Sequence, residues 1–510
     1  MGTHDVFQMF HPRGPWCLDA STMGLDAAAM DALAWSRAFE EMAAVEAGEL
    51  VNSDEGRQVG HYWLRDPARA PTMGQAQAIG DSEQDIRSFA EDIRSGKIRA
   101  PNGQAFTDVL QIGIGGSALG PQLLVDAFQP VAGGLRLHFV DNTDPDGVER
   151  ILAGLGEQLK QTLVVVVSKS GGTVETRNGL DLVSRRMQRM GCKWTRQSVA
   201  VTGQGSALDQ RAAVEGWLQR FPMWDWIGGR TSVTGAVGLL PGALAGIDMT
   251  AFLAGAREMD VWTRSASWRE NPAAMLAGCW HLAGGGRGDR AMVVIPYCDR
   301  LVLLSRYLQQ LIMESIGKRL DRHGEEVFQG LTVYGNKGAT DQHAYVQQLR
   351  DGRDDVFVQF IQVLGDGRGD SEVLRDGANA GDFLQGFLLG TRRALREDGR
   401  PCLTLSVGEV DPHTLGGLVA LFERAVGLYA GLVGINAYHQ PGVEAGKRAA
   451  QDVLGLAERI RLALEDEPVT VDTLAATFEA DAVEVWSILE RLVATGRATR
   501  DGDRYGEASL

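Results

Sequence analysis

The stretch TLVVVVSKSGGTVETRNGL, Thr162 to Leu180, constrains the fold more than any other. Four consecutive valines read as a strand covered on both faces, because a strand with one wet face alternates apolar with polar residues. The chain then breaks at Ser-Lys-Ser-Gly-Gly-Thr and resumes in helix formers. A doubly covered strand running straight into a helix is the unit of a parallel sheet. The same alternation continues on both sides. DVLQIGIGG is a strand entering a glycine turn, SALGPQLLVDAF a helix, LRLHFVDN a strand, DPDGVERILAGL a helix and SVAVTG a further strand. A second round follows, with strands in RAMVVIPY, DVFVQFIQVL and PCLTLSVG. Helices are expected in LVLLSRYLQQLIMESIGKRL, NAGDFLQGFLLGTRRALRED and HTLGGLVALFERAVGLYAGLVG. The expected class is α/β, with two doubly wound parallel-sheet domains at 105–260 and 261–457. A mainly helical segment, 1–104, precedes them and a small extension, 458–510, follows.

Charge and cysteine usage narrow the function. The 510 residues carry a net charge of −16, which argues against nucleic acid or an anionic membrane as the main partner. An anionic substrate must then find a local positive pocket. The five cysteines are far apart, with no CxxC pair or zinc spacing, as expected in a reducing compartment. The N-terminus has no basic region leading into an apolar core, and the apolar run AVGLYAGLVGI is too short to span a bilayer. A cytoplasmic enzyme or binding protein is expected.

GIGGSA, Gly113 to Ala118, satisfies GxGxxA after a strand, and Asp141 ends the next strand where a ribose-binding acid sits in dinucleotide enzymes. Gly-rich strand-to-helix turns also serve simple phosphates, and some are only tight turns. Ser168, Ser170 and Thr173 weigh on the choice. They cluster at a helix start, where free amides and the positive dipole end attract phosphate. A plain capped helix start through Glu175 and Thr176 is the alternative. No GxxxxGK[ST] occurs here. Two hydroxyl-bearing loops at strand ends of one sheet favour a phosphate monoester over a dinucleotide.

Lysine is scarce, and four of the seven lie in Gly-rich contexts: SKSGG, ESIGK, GNKGATDQHAY and QPGVEAGK. GGRTSVTGAVGLLP sets Arg230 after two glycines. Glu314 stands among apolar residues in LIMESIGKRL, so it needs a partner, a wet cleft or a raised pKa. An ion pair with Lys318, four residues on, is one solution. His343 sits at a helix start, and Gln440 and Lys447 flank a turn into another helix.

Taken together, GIGGSALG, SKSGGTVET, GGRTSVTGAVGLLP, ESIGK, QHAY and QPGVEAGK occur in the order found in the glucose-6-phosphate isomerase family, of the two-domain sugar-isomerase (SIS) fold, which residues 105 to 455 closely resemble. The resemblance implies reversible interconversion of glucose 6-phosphate and fructose 6-phosphate through a cis-enediolate. It matches Glu314 to the base, Arg230 to the cation facing the oxyanion, and His343 with Lys447 to ring opening. Gly116, Ser117, Ser168, Ser170 and Thr173 match the phosphate cradle, with Lys169 close by. Gln310 and Gln440 match sugar-hydroxyl contacts. The family needs no metal or organic cofactor. It is typically a homodimer in which the equivalent of His343 comes from the neighbouring subunit. A different ketose-phosphate isomerase, a glucose/mannose version and a non-catalytic sugar-phosphate sensor are the other readings. Glu314, Arg230, His343 and Lys447 together argue against the sensor, which needs a cradle but no base.

The tail outside that resemblance has a strand, two helices and a hairpin with Asp-Gly at its turn, an order that looks like a winged helix-turn-helix. From Glu465 onward it carries eleven carboxylates against four arginines, which would repel a DNA backbone. Val483, Trp486, Ile488, Leu489 and Leu492 are expected to form a small core or pack on the enzyme body, as a structural or subunit-contact appendage.

Overall fold

A computed structural model describes residues 5–12, 14–367, 369, 372–465 and 467–508, without the side chains of 444, 445, 447 and 448. The chain forms two compact units, one ending at His439 and one beginning at Gln440.

The large unit is mixed α/β with two sheets. It opens with a short hairpin, β1 (Gln8–Phe10) and β2 (Cys17–Asp19), and then a mainly helical segment, Ala27–Asp31, Trp35–Ala47 and Met73–Arg94. The first sheet follows: β3 (Asp108–Ile112), β4 (Arg136–Val140), β5 (Thr162–Val167), β6 (Ser198–Thr202) and β7 (Gln219–Pro222), all parallel, in the order β4-β3-β5-β6-β7. All six residues of β5 are buried. Leu163, Val165 and Val167 enter one apolar core, Val164 and Val166 another. The valine run is therefore the signature of a strand buried on both faces. The strand order reverses between β3 and β5, and at that point open α/β sheets hold their ligands.

The second sheet contains β8 (Ala291–Pro296). An antiparallel ribbon, β9 (Lys318–Leu320) with β10 (Glu326–Gln329), lies between it and β11 (Val333–Tyr334), β12 (Val356–Val363) and β13 (Cys402–Val407). The order is β1-β2-β13-β12-β8-β11, with β8, β11, β12 and β13 parallel. β2 adds antiparallel to β13, pairing Thr404 with Asp19 and Ser406 with Cys17. The N-terminal segment thus contributes two strands as well as helices.

One expected element breaks in the structure. Leu301–Leu320 does not form a single long helix. Leu304–Leu308 is α-helical, Gln309–Glu314 widens into a π-helix, and Lys318 already begins β9. Pro412–Val433 is long and apolar enough to cross a membrane by length and composition alone, but it is nearly wholly buried as the central core helix.

The small unit begins with the helix Pro441–Ala463. β14 (Val469–Thr470), helices Val471–Phe478 and Ala482–Ala494, and β15 (Ala498–Asp501) with β16 (Arg504–Glu507) complete it. Asp481 caps the last helix, accepting from the amides of Val483 and Glu484 at 2.9 and 3.0 Å. That start buries the 485–489–492 stripe. Leu489 and Leu492 enter the core and Ile488 packs against it, as expected, but Val485 replaces Val483 and Trp486, which are exposed.

Candidate active site

The two loops of the reversal point form the floor of the site. After β3 the chain turns through Gly115–Ser117, and Gln111, buried on the strand, donates to the Ser117 carbonyl at 2.7 Å. A Cβ on Gly116 would lie 2.0 Å from the Gly229 carbonyl oxygen, so only glycine lets these two backbones touch. At Gly115, where φ is +61°, a Cβ would stand 3.0 Å from Gln310 Nε2. These two glycines bring the first loop onto the Arg230 segment and onto the helix that carries Gln310 and Glu314.

After β5 the second loop closes on itself. Ser168, buried, accepts from the Gly171 amide at 3.1 Å and donates to Thr173 Oγ1 at 3.3 Å. Ser170 accepts from the Gly172 amide at 3.1 Å. Thr173 occupies the N-cap of Val174–Arg189, yet its hydroxyl makes no capping bond. A plain capped helix start is thus not what the hydroxyls build. They fold a turn beside the free amides of a helix N-terminus, an arrangement suited to an anion.

Lys169, expected close to the phosphate, is tied to the main chain here. Its ammonium donates to the carbonyls of Asp225 and Ile227 at 2.7 and 2.9 Å, tying the loop to the segment that leads into Arg230. Burial, reinforced by Arg57, lowers its pKa to about 8.

Arg230 lies in the turn Gly229–Thr231, its side chain 4% exposed. Nε donates to Ser315 Oγ at 2.6 Å, and Nη2 donates to the carbonyls of Ala437 and, at 3.2 Å, His439. Nη1 stands 3.5 Å from Glu314 Oε2. The charge partner of Glu314 is therefore Arg230. Lys318, the partner suggested by spacing, gives its ammonium to the main-chain carbonyls of Glu314 and Ser315 at 2.8 Å each. The Glu314 side chain is 21% exposed, open to a bound molecule. Gln310 precedes it by about one helical turn and shares its face. A carboxylate open to solvent beside a buried, rigidly held guanidinium can move a proton while the cation faces the charge that develops.

The remaining predicted residues are placed differently. His343 is exposed at the end of the turn Thr340–His343. Buried Asp341 holds that turn, accepting from the Asn336 amide at 3.0 Å and from the Tyr345 hydroxyl. No contact among the described residues joins His343 to Arg230 or Glu314. Gln440 and Lys447 belong to the small unit, at the N-cap and inside the helix Pro441–Ala463, and the Lys447 side chain lies outside the described residues. Sequence reasoning missed Ser315, the Ala437–His439 strap and Lys318 as supports of the pair. Their adjacency to Glu314 in ESIGK and to Gln440 in NAYHQ was the only available signal.

Comparisons with known proteins identify the family. A family profile described as phosphoglucose isomerase matches residues 26–466. A glucose-6-phosphate isomerase of Synechococcus elongatus is 52% identical over 507 residues, covering 98% of this chain and 96% of its own. One from Citrifermentans bemidjiense is 56% identical over 465 residues, covering 90% and 88%. The crystal structure of a glucose-6-phosphate isomerase from Chlamydia trachomatis superposes with a TM-score of 0.79 at 29% identity, covering 87% of this chain and 89% of that one. The chain belongs to the phosphoglucose isomerase family.

Proposed function

We infer that this chain is an isomerase that interconverts glucose 6-phosphate and fructose 6-phosphate, a step of glycolysis and gluconeogenesis. The observation that carries the reading is the Glu314–Arg230 pair, open on the carboxylate side, with the Gly115–Ser117 loop packed on the Arg230 turn and the Ser168–Thr173 loop tied by Lys169 to the segment before it. The relatives that match nearly the whole chain bear that activity in their names. In the proposed reaction His343 and Lys447 open the sugar ring by moving a proton between ring oxygen and hydroxyl. Glu314 then takes the C2 proton of the open aldose. The C–H electron pair forms the C1–C2 double bond, and the carbonyl electrons move to O1. Arg230 faces the resulting enediolate. Glu314 returns the proton to C1 while the O2 proton passes to O1, leaving the ketose. The purified protein is expected to convert fructose 6-phosphate to glucose 6-phosphate in a coupled assay without added metal. Activity on another ketose phosphate only would move the reading to a different isomerase.

Gly116, Ser117, Ser168, Ser170 and Thr173 are proposed as the phosphate cradle, and Gln310 and Gln440 as sugar-hydroxyl contacts. Hydrogen bonds to a charged group contribute about 1.5–3 kcal/mol each. Ser168→Ala combined with Thr173→Ala should therefore raise the Michaelis constant for fructose 6-phosphate at least about tenfold. An unchanged constant would put the phosphate elsewhere.

We propose a homodimer with shared sites, in which His343 serves the neighbouring copy. Its exposure supports this, as does the half-exposed Phe387 beside its turn. Phe387 lies on the helix Ala380–Glu397, and its carbonyl accepts from Gln342 of the His343 turn at 3.2 Å. If sites are shared, mixing and refolding Glu314→Gln with His343→Ala protein should regain about a quarter of parental activity, since about half of all dimers are mixed and each of those carries one intact site of two. No recovery on verified mixing would place both residues in one copy.

The two-domain SIS fold is proposed for 105–260 and 261–457, a boundary that falls inside the helix Pro441–Ala463, and the tail 458–510 as a winged-helix-like appendage rather than a DNA reader. Its capping helix presents Asp481 and Glu484 at the end a recognition helix would use. Salt-sensitive binding of duplex DNA by the full chain would contradict that. A cytoplasmic location fits the reading and is tested by fractionation.

A further inference from the structure

Lys318 is 5% exposed and begins β9, just past the π-helical segment that ends at Glu314. Carbonyls at such an end lack intrahelical donors and must be satisfied from outside. Here one ammonium satisfies two of them, those of Glu314 and Ser315, at 2.8 Å each. Glu314 carries the carboxylate of the pair, and the Ser315 hydroxyl accepts from Arg230 Nε at 2.6 Å. A single buried cation therefore grips the main chain under both supports of the Glu314–Arg230 pair. A neutral donor would satisfy the carbonyls more cheaply, because burying an ammonium is costly.

We propose that Lys318 is a positioning residue for the isomerisation, fixing the backbone of Glu314 and Ser315 so that the carboxylate stays at its working distance from Arg230. The inference rests on the isomerase reading above. The charged groups facing Lys318 are Arg230, Glu314 and Asp54, with His439 beside them. Burial first, then Arg230, lowers the lysine pKa to about 7, while Glu314 and Asp54 oppose the shift. The ammonium therefore loses its charge as the pH rises through about 7.

The test compares Lys318→Met and Lys318→Arg with the parent and Glu314→Gln in one set of assays. A shift of about 1 Å in a reacting group costs about 10²-fold in rate. Lys318→Met should therefore lower kcat about 10- to 100-fold, with the Michaelis constant for fructose 6-phosphate and the binding of 6-phosphogluconate held within about threefold. Lys318→Arg, which keeps charge and donors, should recover part of the rate. A kcat within about twofold of the parent overturns the proposal. So does a kcat that falls only in proportion to fewer 6-phosphogluconate sites per chain, since that is a loss of folded protein. A parent without isomerase activity would remove the functional reading itself, whereas an active parent with an unaffected Lys318→Met removes only the role of Lys318.

Discussion

Glu314→Gln should reduce turnover of fructose 6-phosphate by about 10²–10⁴-fold, the usual cost of losing a general base. Glutamine keeps the volume of the side chain and can still accept a hydrogen bond from Arg230, so the pair's geometry survives. What it cannot do is take a proton from carbon. The loops proposed to hold the phosphate lie on other elements, at the ends of β3 and β5, and their contacts should persist. The Michaelis constant is therefore expected to change only a few-fold, and a phosphorylated sugar acid should still bind. Steady-state kinetics with a titration of 6-phosphogluconate checks both halves. Near-normal turnover would remove Glu314 from the chemistry.

Arg230→Ala should be nearly as damaging, by a different route. Removing one donor to a developing oxyanion costs about 10²–10³ in kcat. The arginine is also a structural knot, donating to Ser315 Oγ and to the carbonyls of Ala437 and His439. Each group left without its donor costs about 1–3 kcal/mol, so thermal stability should fall as well. Arg230→Lys separates the two effects. Lysine restores a positive charge but is a point donor without the planar fork that spans these partners. Its kcat should stay at least about tenfold below the parent even where the protein is fully folded. Recovery of parental kcat by lysine would mean that charge alone suffices, and that the geometry around Ser315 and the Ala437–His439 strap carries nothing.

Much of this was legible in the sequence, because the strongest signals are local. The valines of β5 are apolar on both sides of the strand, and both sides are buried. The hydroxyls and glycines that end β3 and β5 lie at the strand-order reversal. What could not be read depends on contacts distant along the chain. β1 and β2 are three residues each and gain their strand character from register with β13. The Leu301–Leu320 stretch has helical periodicity throughout, yet the π-helix and the Lys318 clamp end it early. The i,i+4 spacing of Glu314 and Lys318 points to an ion pair, but Arg230 arrives from another segment through the glycine contact at Gly116 and takes that place. Lys169, expected beside phosphate, is held by two carbonyls that no local pattern announces.

The central claim is that the Glu314 carboxylate carries the proton between C2 and C1. Isomerisation of fructose 6-phosphate in deuterium oxide, followed by NMR of the product, tests it most directly. The parent protein should place deuterium at C2 of glucose 6-phosphate, because a carboxylate exchanges its proton with solvent between removal and return. Glu314→Gln, with 6-phosphogluconate still bound at parental stoichiometry, should show exchange slowed in step with its turnover. Deuterium exchange at the parental rate in Glu314→Gln would contradict the account.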